Sequence, residues 1–124
     1  MANILVVDDS EDLLEMLTIV FKMKGHQVVS AKDIVDTVKS INVFSPDIIL
    51  LDVSLGSSSG KELCKEIKIF YPGIPIVLMS GNPDLLKDYK EYKADGSIEK
   101  PFDVVTLNNK INALLAGKNI EAAG

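Results

Sequence analysis

Two adjacent aspartates, Asp8 and Asp9, follow a short apolar run from Asn3 to Val7. A single aspartate, Asp52, closes a second apolar run that begins at Asp47. Ser80 closes a third, Ile74 to Met79, and Lys100 follows a short fourth and precedes Pro101. Carboxylates, a hydroxyl and an ammonium are the groups that phosphoryl transfer at a divalent metal needs. Carboxylate oxygens are the hard ligands Mg²⁺ prefers, and a carboxylate can also attack phosphorus to give an aspartyl phosphate. The hydroxyl and the ammonium can then stabilise the phosphoryl oxygens. Without a cation, two carboxylates about 4 Å apart repel by about 4 kcal/mol at an effective dielectric of about 20. All 13 basic residues are lysines, so no arginine fork is available for phosphate or carboxylate.

These residues act together only if the fold brings them together. Asn3–Val7, Gln27–Ala31, Asp47–Leu51, Ile74–Met79 and Ser97–Glu99 read as five short strands bounded by turn residues. Five helical patterns alternate with them. The first carries Leu13, Leu17, Val20 and Phe21 behind a Ser10 cap, and Gly25 stops it. The second carries Ile34, Val38 and Ile41, and the third Leu63, Ile67 and Phe70. A weaker fourth carries Leu85 or Leu86, Tyr89 and Tyr92, and the fifth Leu107, Ile111, Leu114 and Leu115. Between Asp52 and the third helix, Ser54 to Gly60 reads as a loop. Strands alternating with helices predict an α/β fold, a parallel sheet with right-handed crossovers and helices on both faces. Ligands of such sheets gather at the carboxyl ends of the strands, where Asp8, Asp9, Asp52, Ser80 and Lys100 all fall.

Composition narrows the class. At 124 residues the chain fits one domain, with a core over about 3–116 and residues 117–124 as a tail. The net charge of −5 argues against direct nucleic-acid binding. No apolar run reaches the roughly 20 residues of a membrane span, and a charged signal-peptide start is missing, so a cytoplasmic location is expected. The single cysteine, Cys64, suits a reducing compartment and is expected to be buried and inert, and His26 to be a solvated turn residue.

With these motifs in order, the sequence resembles the response-regulator receiver domains of two-component signalling, from about Asn3 to about Leu115. The motifs are Asp8-Asp9, Asp52 followed by Gly60, Ser80, and Lys100-Pro101-Phe102. The resemblance implies a doubly wound, flavodoxin-like (βα)5 fold with five helices and strand order 2-1-3-4-5. It implies Asp52 as phosphoacceptor and Mg²⁺, or Mn²⁺ in its place, held by Asp8, Asp9, Asp52 and the backbone carbonyl of Ser54. Ser80 would be the switch hydroxyl and Lys100 the partner of Asp52 or its phosphate. The Lys100–Pro101 bond is expected to be cis. The implied donor is a histidine kinase or histidine phosphotransfer protein. A downstream protein or a second copy would meet the face of helix 4, strand 5 and helix 5.

Three positions depart from the family pattern. Gly56 stands where proline is usual, which predicts a freer loop. Ser97 replaces an aromatic residue that couples the switch to the output face, and Ser80 replaces the commoner threonine. The alternative function is a receiver-like interaction module that works without phosphorylation. An enzyme with an outside product is not expected. A flavodoxin-type cofactor site wants a phosphate-binding loop where the acidic segment 8–12 stands, and a dehalogenase-type phosphatase wants an Asp-x-Asp pair.

Overall fold

The run Ile48–Asp52 is buried along its whole length, a state that suits the middle of a parallel sheet covered on both sides. The computed structural model places it there. The elements are β1 (Asn3–Val7), α1 (Glu11–Met23), β2 (Gln27–Ala31), α2 (Ile34–Phe44), β3 (Ile48–Asp52), β4 (Ser54–Leu55) and β5 (Ser58–Ser59). Then follow α3 (Gly60–Phe70), β6 (Ile76–Ser80), β7 (Gly96–Glu99) and α4 (Val104–Ala123). The backbone is described through residue 123 and the side chains through Gly117, so all but the first residue of the tail expected over 117–124 lies outside the fully described residues. No helix among the described residues is long and apolar enough to cross a membrane.

Five strands form one parallel sheet in the order β2-β1-β3-β6-β7. With the short β4 and β5 set aside, this is the expected 2-1-3-4-5 order. Successive side chains on a strand point to opposite faces, so each strand feeds two cores. Ile4, Val6, Ile48, Leu50, Val77 and Met79 meet Leu14, Leu17 and Phe21 of α1 and Leu107 and Ile111 of α4. Leu5, Val7, Ile49, Leu51, Ile76 and Leu78 meet Ile41 of α2 and Leu63, Cys64 and Ile67 of α3. Fully burying one such aliphatic side chain is worth about 2 kcal/mol.

Several expectations need correction. The fold has four α-helices among the described residues, not five. In place of the fourth stand two 3₁₀ turns, Pro83–Leu86 and Tyr89–Tyr92. Only Leu86 in this stretch is fully buried, with Tyr89 packed beside it, a narrow anchor that the i, i+3 spacing of a 3₁₀ turn satisfies. On α1 and α2 the buried stripe shifts by one residue, with Leu14 rather than Leu13 leading on α1 and Thr37 replacing Val38 on α2. On α3 Leu63 and Ile67 are buried, but Phe70 is 77% exposed. Thr37 can be buried because its hydroxyl donates to the Asp33 carbonyl at 2.7 Å. His26 is half-buried rather than solvated: its Nδ1 accepts the Ala2 N–H at 3.1 Å and its ring meets Phe21 edge-on. Cys64 is buried as expected, and burial pushes its thiol pKa up to about 12.

The segment expected as a free loop is a small antiparallel ladder, with Ser54 opposite Ser59 and Leu55 opposite Ser58. Gly56 turns the chain there at φ +61°, a left-handed conformation closed to proline. At the ladder's end Gly60 opens α3 against β3. A Cβ built on Gly60 would lie 1.9 Å from the Asp52 carbonyl oxygen, and the Gly60 N–H donates to the Val53 carbonyl at 2.7 Å. A glycine-to-alanine change in a helix ordinarily stabilises, and Gly117, with nothing within 4 Å of its Cβ position, should gain up to about 1 kcal/mol. At Gly60 the sign reverses. Gly60→Ala is expected to cost about 3 kcal/mol by overpacking, read as a lower urea midpoint than wild type, while Gly117→Ala moves the other way. Equal midpoints for the two variants would contradict this packing.

Candidate functional site

The register of the sheet assembles the site. Val7 pairs with Leu51, so Asp8 and Asp52 come next on neighbouring strands. Asp52 pairs with Met79, which puts Ser80 one step further along β6. Ser80 pairs with Glu99, which puts Lys100 one step beyond β7. Strand alternation then sorts the side chains. Asp8 follows Ile4 and Val6, Asp52 follows Ile48 and Leu50, and Lys100 follows Ile98, all on the face covered by α1 and α4.

Asp8, Asp9 and Asp52 each offer a carboxylate oxygen, and these oxygens lie within 4.8 Å of one another. Asp8 and Asp52 are buried, and Asp9 is exposed. The Lys100 ammonium lies between the buried two, 2.6 Å from Asp8 Oδ2 and 3.4 Å from Asp52 Oδ2. Lys100 is therefore bonded more closely to Asp8 than to Asp52, the partner the family resemblance implies. Its backbone N–H donates to the Ser80 carbonyl at 2.8 Å, which fixes where its side chain starts. The Lys100–Pro101 bond is cis, as expected.

Each of three rim side chains is held by the backbone N–H two residues further on. Asp8 Oδ1 accepts from Ser10 N at 2.9 Å, Asp52 Oδ1 from Ser54 N at 3.2 Å, and Ser80 Oγ from Asn82 N at 3.0 Å. These are turns in which a short polar side chain folds back on the chain leaving its strand. They aim the oxygens across the rim and leave the Ser80 hydroxyl proton free to donate elsewhere. Asp9 is met from the hairpin, with the Gly56 N–H 3.4 Å from its Oδ2.

The electrostatics are those of a crowded acidic site. Burial, then the Asp8 charge, raises the Asp52 pKa above the ordinary carboxylate range, against the opposing Ser54 N–H and Lys100. At Lys100 burial works to lower the pKa, but the hydrogen bond to Asp8 and the charges of Asp52 and Asp8 together raise it. The two shifts run the same way: both the Lys100 ammonium and the protonated form of Asp52 are favoured relative to the free side chains.

The structure brings together the side chains of Asp8, Asp9, Asp52 and Lys100, and places Ser80 at the end of the neighbouring strand β6. The sequence reading missed the Asp8–Lys100 pair and the three turns. The turns have a local signal, Asp8-Asp9-Ser10, Asp52-Val53-Ser54 and Ser80-Gly81-Asn82, in which a short oxygen-bearing side chain ends each strand. The pair has none, because Asp8 and Lys100 are 92 residues apart.

A doubly wound sheet with this acidic rim defines a class of Asp-centred signalling and phosphoryl-transfer domains. Comparison with known proteins makes the assignment specific: the chain belongs to the response regulator receiver domain family, whose model matches residues 4–112. It is similar to the alkaline phosphatase synthesis transcriptional regulatory protein PhoP of Bacillus subtilis, 31% identical over 122 residues, covering 97% of this chain and 51% of that protein. It is also similar to sporulation initiation phosphotransferase F of Bacillus subtilis, 28% identical over 119 residues, covering 94% of this chain and 96% of that one. Among solved structures, the receiver domain of NtrX from Brucella abortus superposes with a TM-score of 0.85 at 32% identity, covering 91% of this chain and 98% of that one. The chain thus spans about half the length of PhoP and nearly all of the phosphotransferase.

The raised Asp52 pKa has a thermodynamic consequence. A carboxyl group whose folded-state pKa is raised favours the fold when protonated and burdens it when ionised. Without divalent cations, Asp52→Asn should therefore melt at a higher temperature than wild type at pH 7. The gap should narrow as pH falls through the folded-state pKa and close below the unfolded value of about 3.9. Thermal melts across pH check this, and a lower melting temperature for Asp52→Asn at pH 7 would contradict it.

Proposed function

We propose that Asp52 accepts a phosphoryl group from a phosphohistidine on a histidine kinase or histidine phosphotransfer protein, and that the change this produces controls a partner. The observation that carries the proposal is the convergence around Asp52. A nucleophilic carboxylate, two further carboxylates and one lysine meet at adjacent strand ends, with Ser80 on the next strand. In the step itself an Asp52 carboxylate oxygen bonds to phosphorus while the bond from phosphorus to the donor nitrogen breaks. The imidazole leaves with the electron pair. Lys100 and the Ser80 hydroxyl would pair with the phosphoryl oxygens as charge shifts onto them. Loss of the group is attack by water on phosphorus, with the bond to the Asp52 oxygen breaking and the carboxylate leaving as inorganic phosphate forms; in this reading the chain is a phosphoacceptor rather than an enzyme acting on an outside substrate.

The oxygen-only donor set and its uncompensated charge fit Mg²⁺, with Mn²⁺ able to take its place. Asp8, Asp9 and Asp52, with the Ser54 backbone carbonyl, would hold it. When bound, it supplies the positive charge that allows Asp52 to ionise and a phosphoryl oxygen to approach. The donor's docking surface in this account is the groove of about 490 Å³ beside the rim, lined by Leu13, Met16, Pro101 and Phe102 next to Lys100. A downstream partner or second copy would meet the face of the 3₁₀ segment, β7 and α4, where Leu85 and Val105 are exposed. A cytoplasmic location belongs to the same account.

Incubation with a small acyl phosphate and Mg²⁺ is expected to add the mass of one phosphoryl group to the wild-type chain. Asp52→Asn should gain none, and chelation should abolish the gain in the wild type. Equal labelling of the Asp52→Asn variant would place the acceptor elsewhere.

A further inference from the structure

Lys61 occupies a costly place. It lies in the first turn of α3, where the helix dipole disfavours a cation, and its side chain is only 12% exposed. Two contacts offset this. Its ammonium is 2.7 Å from Asp88 Oδ1 and lies over the Tyr92 ring, 5.1 Å from the centroid. The hydrogen bond from Lys61 also holds the Asp88 carboxyl below its ordinary pKa. Asp88 is, with Lys87, one of the two residues between the 3₁₀ turns, and its side chain does not cap the second. Lys61 therefore ties the middle of the 83–92 segment to the start of α3.

Both ends of this tie lead back to the phosphoacceptor. On one side, Gly60 is pressed against the Asp52 carbonyl and bonded to Val53, so the first turn of α3 follows the backbone of Asp52. On the other, Ser80 Oγ holds the Asn82 N–H, and Asn82 Oδ1 caps the first 3₁₀ turn through the Asp84 N–H at 3.0 Å. A Ser80 hydroxyl drawn toward a group on Asp52 pulls the segment at its start, while Lys61 holds its middle to α3. Ser97 offers no ring to carry that movement onward.

We propose that Lys61 is a positioning residue that carries the state of Asp52 to the second 3₁₀ turn by anchoring Asp88 and Tyr92 to α3. This rests on Asp52 as phosphoacceptor. With Lys61 in place the segment moves as a unit against a fixed post. Without it, displacement at Asn82 dissipates in local opening before residue 88.

Amide hydrogen exchange of the full chain, with and without beryllofluoride and Mg²⁺ as a phosphoryl mimic, tests this. In the wild type, loading should change exchange at residues 52–60, 81–84 and 88–93. In Lys61→Met, the unloaded 88–93 amides should exchange about fivefold faster, as expected for losing a largely shielded ion pair. The response to loading should persist at 52–60 and 81–84 and vanish at 88–93. Asp88→Asn, which removes the pair from its more exposed side, should do the same, and Lys61→Arg should restore the response. A full response at 88–93 in both Lys61→Met and Asp88→Asn overturns the proposal, as does a wild type that responds at 52–60 but not at 88–93. No response at 52–60 in the wild type removes the phosphoacceptor assignment, and the proposal with it.

Discussion

Three carboxylates held within 4.8 Å of one another are the constraint to which the rest of the structure answers. With one ammonium against three carboxylates, the formal charge of the cluster is −3 + 1 = −2. Asp8 is buried beside Asp52, and burial together with the Asp8 charge raises the Asp52 pKa. The sheet sets this cluster by geometry. Its order places β1, β3, β6 and β7 side by side, and its alternation puts Asp8, Asp52 and Lys100 on one face. The strand-end turns point the oxygens at each other rather than at water. Like charges held this close make the rim a candidate site for a divalent cation.

Much of this was legible in the sequence because it is local. Strand runs, the Ser10 cap, the Gly25 stop and the place of each rim residue all follow from short-range patterns. What was not legible depends on contacts between distant residues. The Asp8–Lys100 pair requires the whole sheet to be built. The shift from Leu13 to Leu14 on α1, and from Val38 to Thr37 on α2, is set by how each helix lies on the sheet, which periodicity leaves open by one residue. The fourth helical pattern failed because Leu86 and Tyr89 are too narrow an anchor, and Asp88 is drawn to Lys61 instead of supporting a continuous helix.

The departures from the family pattern read differently with the structure in view. Gly56 does not simply free its loop; its left-handed turn closes a small hairpin whose N–H groups approach both Asp9 and Asp52. At Ser97 the missing aromatic leaves the backbone carbonyl bonded to the Lys110 ammonium of α4. The rim residues stand where the resemblance expects them, and the hairpin and the Ser97–Lys110 contact lie outside what that resemblance implied.

The central claim is that the rim is a cation site made by Asp8, Asp9 and Asp52. Asp9 is exposed, so Asp9→Asn removes a ligand without disturbing the core. Trace Mn²⁺ added to the isotope-labelled chain should broaden the amide resonances around Asp8, Asp9, Asp52 and Ser54 at concentrations that leave Gln27 at the amino end of β2, and the carboxyl ends of α2 and α3 at Phe44 and Phe70, sharp. Asp9→Asn should need much more Mn²⁺ for the same effect, and excess Mg²⁺ should reverse it. Uniform broadening, or the same response in both proteins, would contradict the account.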